Sequence, residues 1–317
     1  MDTNLGAFII LGLTSMSWLP FAFSGPVLWA VSTHLDKYLV EKYFKNSNVA
    51  VLLIFTALIG LLTLPFIWFF APQVANLSPV SAALMAFSGV LYMSGMLFYL
   101  QALQSDEASA VAPFYQAAPL FGYVLGYVVL GEALTPIQMG GGALIIAGTV
   151  LVSLQFDQRK TAFNIRLAAL MLACALSLAV SSLIFKIFAL RDEFWPTTFW
   201  MYAGEALFGA VLLAIASFRK PFVELLRSSP GAVLSINAIN EMINLGGSLG
   251  TRYALLLAPL SLVQAIGSTT TLFVFAFGIV LSIFFPTLGH EELSHWELVR
   301  KGVAAVVVAI GAILVSH

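Results

Sequence analysis

Apolar runs of about 20 residues recur along the chain between short polar stretches, each long enough to cross a hydrocarbon core of about 30 Å. Ten such spans are expected near 21–43, 48–71, 80–103, 108–130, 136–154, 165–189, 196–217, 231–256, 259–285 and 297–316. Backbone groups in lipid must pair within the segment, so the spans are helices and not isolated strands. Ahead of them, residues 1–20 form a leader that is apolar from 5 to 19. It is a poor secretory signal, because Asp2 stands where positive charge is needed, and Pro20 and Pro26 then break the pattern after it. It stays open as an interfacial segment, an extra helix or a stretch ahead of the alternative start Met16.

The second half repeats the first. Ala102-Leu103, Ser109, Val111, a Gly131-Glu132-x-Leu134-Thr135 turn and Gly148 before Val150-Leu151-Val152-Ser153 are answered further on. The counterparts are Ala254-Leu255, Ser261, Val263, the turn Glu291-Glu292-Leu293-Ser294, and Gly311 before Ile313-Leu314-Val315-Ser316. Ser78-Pro79 opens span 3 as Ser229-Pro230 opens span 8, and Ser32 to Lys37 has the spacing of Ser181 to Lys186. A first five-helix repeat is therefore placed at 21–154, a polar linker at 155–164 and a second repeat at 165–316. An odd number of helices per copy turns the second upside down. The expected fold is an all-α integral membrane protein of ten helices in two inverted repeats, an architecture that places a substrate site near the midplane between copies.

Composition agrees with the bilayer: 60% of residues are hydrophobic and 9% charged, where a soluble domain carries about 25% charged. The net charge of -1 argues against nucleic acid as a partner. The lone Cys174 permits no internal disulfide and reads as a small packing residue.

Basic residues give an orientation. With Lys37 set aside as intramembrane, the loops after spans 1, 5, 7 and 9 hold Lys42, Lys45, Arg159, Lys160, Arg166, Arg219, Lys220, Arg227, Arg300 and Lys301. The other side holds at most Lys186, Arg191 and Arg252, so the first group is placed in the cytoplasm and the C-terminus outside.

Polar side chains inside spans mark the candidate chemistry, because an ionisable group at the bilayer centre costs at least about 2.5–3.5 kcal/mol unless it faces a cavity or partner. In span 8, Asn237, Asn240, Glu241 and Asn244 recur at i, i+3, i+4 and i+7, one face of one helix. The equivalent positions of span 3 are Ala86, Gly89, Val90 and Met93, so one copy keeps a packing surface where the other has a polar stripe. Asn can also join membrane helices, but a Glu within the stripe favours a lined cavity.

Span 1 carries His34, Asp36 and Lys37; His34 and Lys37 share a face, whereas Asp36 and Lys37 point apart. Lys37 either lines the cavity or snorkels to the interface beside Glu41, and Lys186 in span 6 is open in the same way. Glu205, near the centre of span 7 and opposite Thr56 of the first copy, and Glu241 are the candidates to take up and release protons. The competing reading has each held in a static ion pair by Lys37 or Lys186.

Tyr92, Tyr99, Tyr115, Gln116, Trp200, Tyr202 and Gln264 are weaker pocket candidates, since Tyr and Trp also anchor helices at interfaces. Gly140 to Gly142, Ala143, Ala147, Ala305 and Ala309 read as close-packing positions. His290, Glu291 and His295 do not make a zinc-protease site, because that pattern needs His at i and i+4 on one helix and the spacing here is five in a loop. No nucleotide loop, nucleophile elbow or paired metal ligands appear, and no cofactor is expected.

In the Trp29 to Lys37 stretch and the two helical hairpins the sequence resembles the drug/metabolite transporter superfamily, in its EamA-like branch. That branch has a Trp early in span 1 with a Lys eight residues on, matched by Trp29 and Lys37, and a Gly-Glu turn before spans 5 and 10. The first turn matches through Gly131 and Glu132; the second keeps Glu291 but has His290 in place of the Gly. The resemblance implies ten helices, a cavity lined by spans 1 to 4 and 6 to 9, and alternating access by rocking of two halves. The Arg that members often carry in span 2 is absent here, and many members keep both termini in the cytoplasm, in conflict with the charge count.

The expectation is a secondary transporter, not an enzyme, in a bacterial-type inner (plasma) membrane, exporting a small polar or amphipathic metabolite with protons as coupling ion. Its partners are a small-molecule substrate, membrane lipid and protons. His34, Asp36, Lys37, Lys186, Asn237, Asn240, Glu241 and Asn244 are the expected substrate contacts. Alternatives are a flippase for a lipid or lipid-linked sugar, an intramembrane enzyme and a non-transporting scaffold.

Overall fold

A computed structural model describes residues 18–43, 51–105, 117–153, 165–228, 230–284 and 295–316. The chain is helical, with no strand among the described residues. The helices are α1 (Leu19–Tyr43), α2 (Val51–Phe70), α3 (Pro79–Ser105), α4 (Ala117–Leu125, continued by a π-wound turn over Gly126–Leu130), α5 (Pro136–Ser153), α6 (Ile165–Asp192) and α7 (Phe194–Ala214). They are followed by α8 (Ala216–Ser228), α9 (Pro230–Leu257), α10 (Leu260–Gly267), α11 (Thr270–Phe284) and α12 (His295–Val315). Among the described residues five segments are long and apolar enough to cross a membrane: α2, Pro79–Ala102 of α3, α6, α7 and Leu260–Phe284, which joins α10 to α11. The chain is therefore a membrane protein. α1 and α9 are as long, at 25 and 28 residues, but too polar to be among those five.

Turn chemistry sets the helix ends. Ser78 caps α3 by accepting the Ser81 N–H at 3.1 Å, with Pro79 in the first turn where its missing N–H costs nothing. Gly131, in the left-handed region at φ 68, closes the π-wound turn through bonds back to Gly126 and Tyr127. Thr135 and Gln138 then form a reciprocal capping box at the start of α5, at 3.2 and 3.1 Å.

Two features depart from the sequence expectations. Span 9 is not one continuous helix: the hydroxyls of Ser268, Thr269 and Thr270 bond back to the carbonyls of Ala265, Ile266 and Gly267, and this local competition separates α10 from α11. The stretch between spans 7 and 8 is the amphipathic helix α8 and not a loop. Phe222 and Leu225, with Phe218 and Leu226 beside them, pack among Leu39, Phe55 and Val233, while Arg219, Lys220 and Arg227 are exposed. The second hairpin turn, Glu291 to Ser294, lies outside the described residues.

The packing pairs run antiparallel. Gly25 faces Thr251, Trp29 faces Gly247 and Asp36 reaches Asn240, so α1 ascends as α9 descends. α3 and α6 meet in the same sense through Gly95 with Leu178 and Ser88 with Ser181. α2 meets α7 through Gly60 with Tyr202 and Ala57 with Gly209, and α5 meets α12 through Gly141 with Gly311 and Gly148 with Ala304. Gly140 and Gly142, by contrast, face open space. The closest crossing is α3 on α7: a Cβ at Gly204 would overlap the Ala86 carbonyl oxygen, and one at Gly89 the Met201 carbonyl oxygen. Small residues let two backbones touch where lipid offers no hydrophobic drive to bring helices together.

That crossing is testable. Gly204→Val should lower the thermal unfolding midpoint of the detergent-solubilised protein, because the obstruction is backbone that no rotamer change relieves; the loss should exceed the about 1–3 kcal/mol usual for overpacking. Gly142→Ala, with nothing within 4 Å of the added carbon, is the control and should melt like the parent. Equal midpoints for Gly204→Val and the parent would contradict the crossing.

Candidate functional site

The polar stripe of α9 faces into the bundle, with Asn237 and Asn240 each 1% exposed and Glu241 5% exposed. Opposite it stands α1, whose Asp36 Oδ1 accepts a hydrogen bond from Asn240 Nδ2 at 2.7 Å. From the other side α2 supplies Thr56, which donates its hydroxyl to Glu241 Oε1 at 2.9 Å. Asn244, one turn on from Glu241, also bonds its carboxyl, and Asp36 and Glu205 lie near enough for their charges to act on it. Asn237 donates to the Val233 carbonyl of its own helix at 2.8 Å. The carbonyl oxygens of the Asn237 and Asn240 side chains are buried with no hydrogen-bond partner among the described residues.

The other candidates divide around this centre. His34, on α1, bonds through Nε2 to the Val274 carbonyl of α11 at 2.9 Å, so it fastens two helices and does not share the Asp36 contact. Lys37 is exposed. Tyr99 feels the Asp36 charge from α3. Tyr115 and Gln116 lie outside the described residues.

Glu205 is held by neither lysine. Its Oε1 accepts from Arg252 Nη2 at 2.7 Å, with both side chains buried. The guanidinium also lies over the Tyr202 ring, 4.5 Å from its centroid. Arg252 is thus not a loop charge on the outer side, as the basic-residue count had it, but part of the membrane interior. The signal for it was present: Arg252 follows Glu241 by eleven residues, about three helical turns, and so extends the same face. Truncating one partner of such a buried pair strands the other charge, at a cost of about 3–5 kcal/mol.

Lys186 belongs to a second closed pair. Its Nζ meets Glu132 Oε1 and donates to the Ala258 carbonyl at 2.6 Å, while Glu132 Oε2 accepts the Leu260 N–H at 2.8 Å. Glu132, read from sequence as a turn residue, therefore caps the first turn of α10, where unpaired N–H groups attract a carboxylate, and ties α6, the α4–α5 turn and α10 together. Nothing in one sequence announces this pairing, since its members are 54 residues apart.

Comparison with known proteins gives a family and a fold. The model of the EamA-like transporter family matches residues 16–154. Among curated proteins none matches the chain. One solved structure, described as "Crystal structure of protein", is similar with a TM-score of 0.64 and 14% identity, covering 94% of this chain and 95% of that chain; at that identity the likeness concerns the fold alone. Residues 16–154 are thus similar to the EamA-like transporter family, which lies within the drug/metabolite transporter superfamily.

Proposed function

We propose that this membrane transporter is a secondary exporter of a small polar or amphipathic metabolite in the inner (plasma) membrane, working by alternating access and coupled to protons. The observation that carries the reading is the cluster of half-buried Asp36 with buried Asn240 and Glu241 at the meeting of α1 and α9, two long helices that are not among the apolar spans. In this reading the cluster contacts solute and Glu241 exchanges the proton. Glu205 follows only in a state where Arg252 has moved off it.

The antiparallel packing of α2 on α7 and of α5 on α12 supports an inverted repeat, because in that register these are the equivalent helices of the two copies. The pairing of α1 with α9 is likewise answered by that of α6 with α3. Orientation follows from the revised charges. Lys186 and Arg252 are internal ion-pair members, which leaves Arg191 against the basic residues of the opposite side, Arg219, Lys220 and Arg227 of α8 among them. Positive-inside counting then puts α8 in the cytoplasm.

A second reading, movement of a lipid or lipid-linked sugar, is favoured by one feature. A shallow apolar cleft of about 500 Å³ lies between α1 and α9, lined by Leu28, Ala238, Ile239, Met242 and Ile243, and it opens on their outer side.

Four measurements check these readings. Metabolite profiling of medium from cells with and without the protein should show at least one polar solute enriched by expression. In proteoliposomes loaded with that solute, Glu241→Gln should lower transport at least about tenfold, as expected for a lost charge-assisted contact, and flatten its pH dependence. Undiminished, equally pH-dependent transport would remove Glu241 from the mechanism, and activity only with a membrane-resident substrate would favour the flippase. Leu at Asn237, Asn240 and Asn244 together should abolish export; an intact cellular phenotype would indicate a scaffold. A reporter fused after His317 should be active only outside the cytoplasm, and cytoplasmic activity would reverse the topology.

A further inference from the structure

The charges around the contact of α1 with α9 do not balance. Of the buried basic side chains, Lys186 and Arg252 are each committed to a carboxylate, Glu132 and Glu205, and Arg300 on α12 is not among the groups that act on Asp36 or Glu241. Asp36 and Glu241 remain, and among the described residues no basic side chain pairs with or acts on either; the neighbouring charges that reach Glu241 are those of Asp36 and Glu205. His34, two residues from Asp36, is turned to the Val274 carbonyl, and Lys37 is exposed. On the same face of α9 two side-chain oxygens stand without a hydrogen-bond partner among the described residues. The Asn240 side chain, 1% exposed, places Nδ2 on Asp36, so its own carbonyl oxygen sits beside that carboxyl with no partner, and Asn237, on the same face of α9, has a second orphaned carbonyl oxygen.

We infer that Asp36 and Glu241, with the side-chain carbonyls of Asn240 and Asn237, form a binding site for a monovalent cation: either the ammonium head of the transported solute or a sodium ion. The chemistry is shared by the two sources. Carboxylates and amide carbonyls are hard oxygen acceptors that suit an alkali cation, and they are equally the acceptors for the N–H donors of an ammonium group, whose charge-assisted bonds are about twice as strong as neutral ones. A bound cation would supply the countercharge that this cluster lacks, and buried polar atoms left unpaired would find their partner in it. The inference rests on the transport reading of the same cluster and names the class of ligand that it takes.

The test uses the full-length chain in detergent at pH 8, titrated with sodium chloride or with n-butylammonium chloride at constant ionic strength, and read by calorimetry and by thermal unfolding. Saturable binding of at least one cation is expected, with an accompanying rise in the unfolding midpoint. Asp36→Asn and Glu241→Gln should each weaken that binding at least about tenfold, since each removes one charged partner. Asn240→Ser, which removes the orphaned carbonyl, should weaken it less, and Glu224→Gln on the exposed side of α8 should leave it unchanged. A response to n-butylammonium identifies the solute's head group, and one to sodium alone identifies a coupling ion. No saturable response to either cation in the folded parent, or binding retained in both carboxyl variants, overturns the inference. If a carboxyl variant elutes as aggregate, Asn240→Ser decides: unchanged binding there also overturns it. Binding is measured apart from transport, so a chain that binds a cation but moves no solute keeps this site and loses the transporter reading, and the reverse result does the opposite.

Discussion

In hydrocarbon there is no water to satisfy a polar side chain, so such a group bonds a carbonyl of its own helix, as Asn237 does at Val233, or finds its partner in another helix. The consequence is clearest at α1 and α9. Each is long enough to span a membrane and neither is apolar enough to stand in lipid on all sides, so their polar faces meet in the interior through Asp36 and Asn240 at 2.7 Å. The contact also fixes register. Because Asp36 sits on Asn240, the glycines of the pair fall where Trp29 needs room against Gly247 and where Ser24 and Gly250 touch. Close glycine packing and buried polar contact are therefore two results of one constraint, since only backbones that approach closely bring short side chains such as Asp and Asn within bonding distance.

The three buried polar centres do different physical work. Lys186 with Glu132 is a fastener: one carboxylate oxygen holds the lysine, the other holds the start of α10, and the lysine also reaches the Ala258 carbonyl. Its donors and acceptors are used within the chain. Arg252 with Glu205 is also an ion pair, beside the Tyr202 ring, although it leaves the donor Nη1 of Arg252 without a hydrogen-bond partner among the described residues. The cluster of Asp36, Asn240 and Glu241 differs because what its hydrogen bonds leave over are acceptors. A satisfied network rigidifies a core, whereas an incompletely satisfied one is unfavourable unless something binds there.

Much of this was legible in the sequence, for physical reasons that also mark where legibility stops. The 3.6-residue period located the stripe of Asn237, Asn240, Glu241 and Asn244, because period and helix face are the same geometry. The Gly131-Glu132 turn and the Ser-Pro helix starts were readable, since capping is local chemistry. Pairing is not local. Glu205 finds Arg252 47 residues away, and the basic-residue count treated that arginine as a loop charge even though its register already placed it on the stripe's face. His34 bonds a backbone carbonyl, a partner that every residue has and no sequence distinguishes. The α8 helix had its apolar period in Phe218, Phe222, Leu225 and Leu226, yet at 13 residues it was too short to be noticed beside spans of twenty.

The contrast between closed pairs and open cluster also bears on how such a bundle could alternate. Lys186, Glu132 and Leu260 join helices from both halves of the chain at one end of the bundle, where α4 and α6 finish and α10 begins. For two halves to rock apart at that end, the fastener must separate, exposing two charges and an uncapped helix start. For them to rock at the other end it can stay intact and act as the pivot. Under the proposed alternating access, this arrangement would be the one with that end shut, held by the shared Glu132 carboxylate. A bound cation between Asp36 on α1 and Glu241 on α9 would act on the same balance from the middle of the bundle, because it draws together two helices that lie on opposite sides of the proposed repeat boundary.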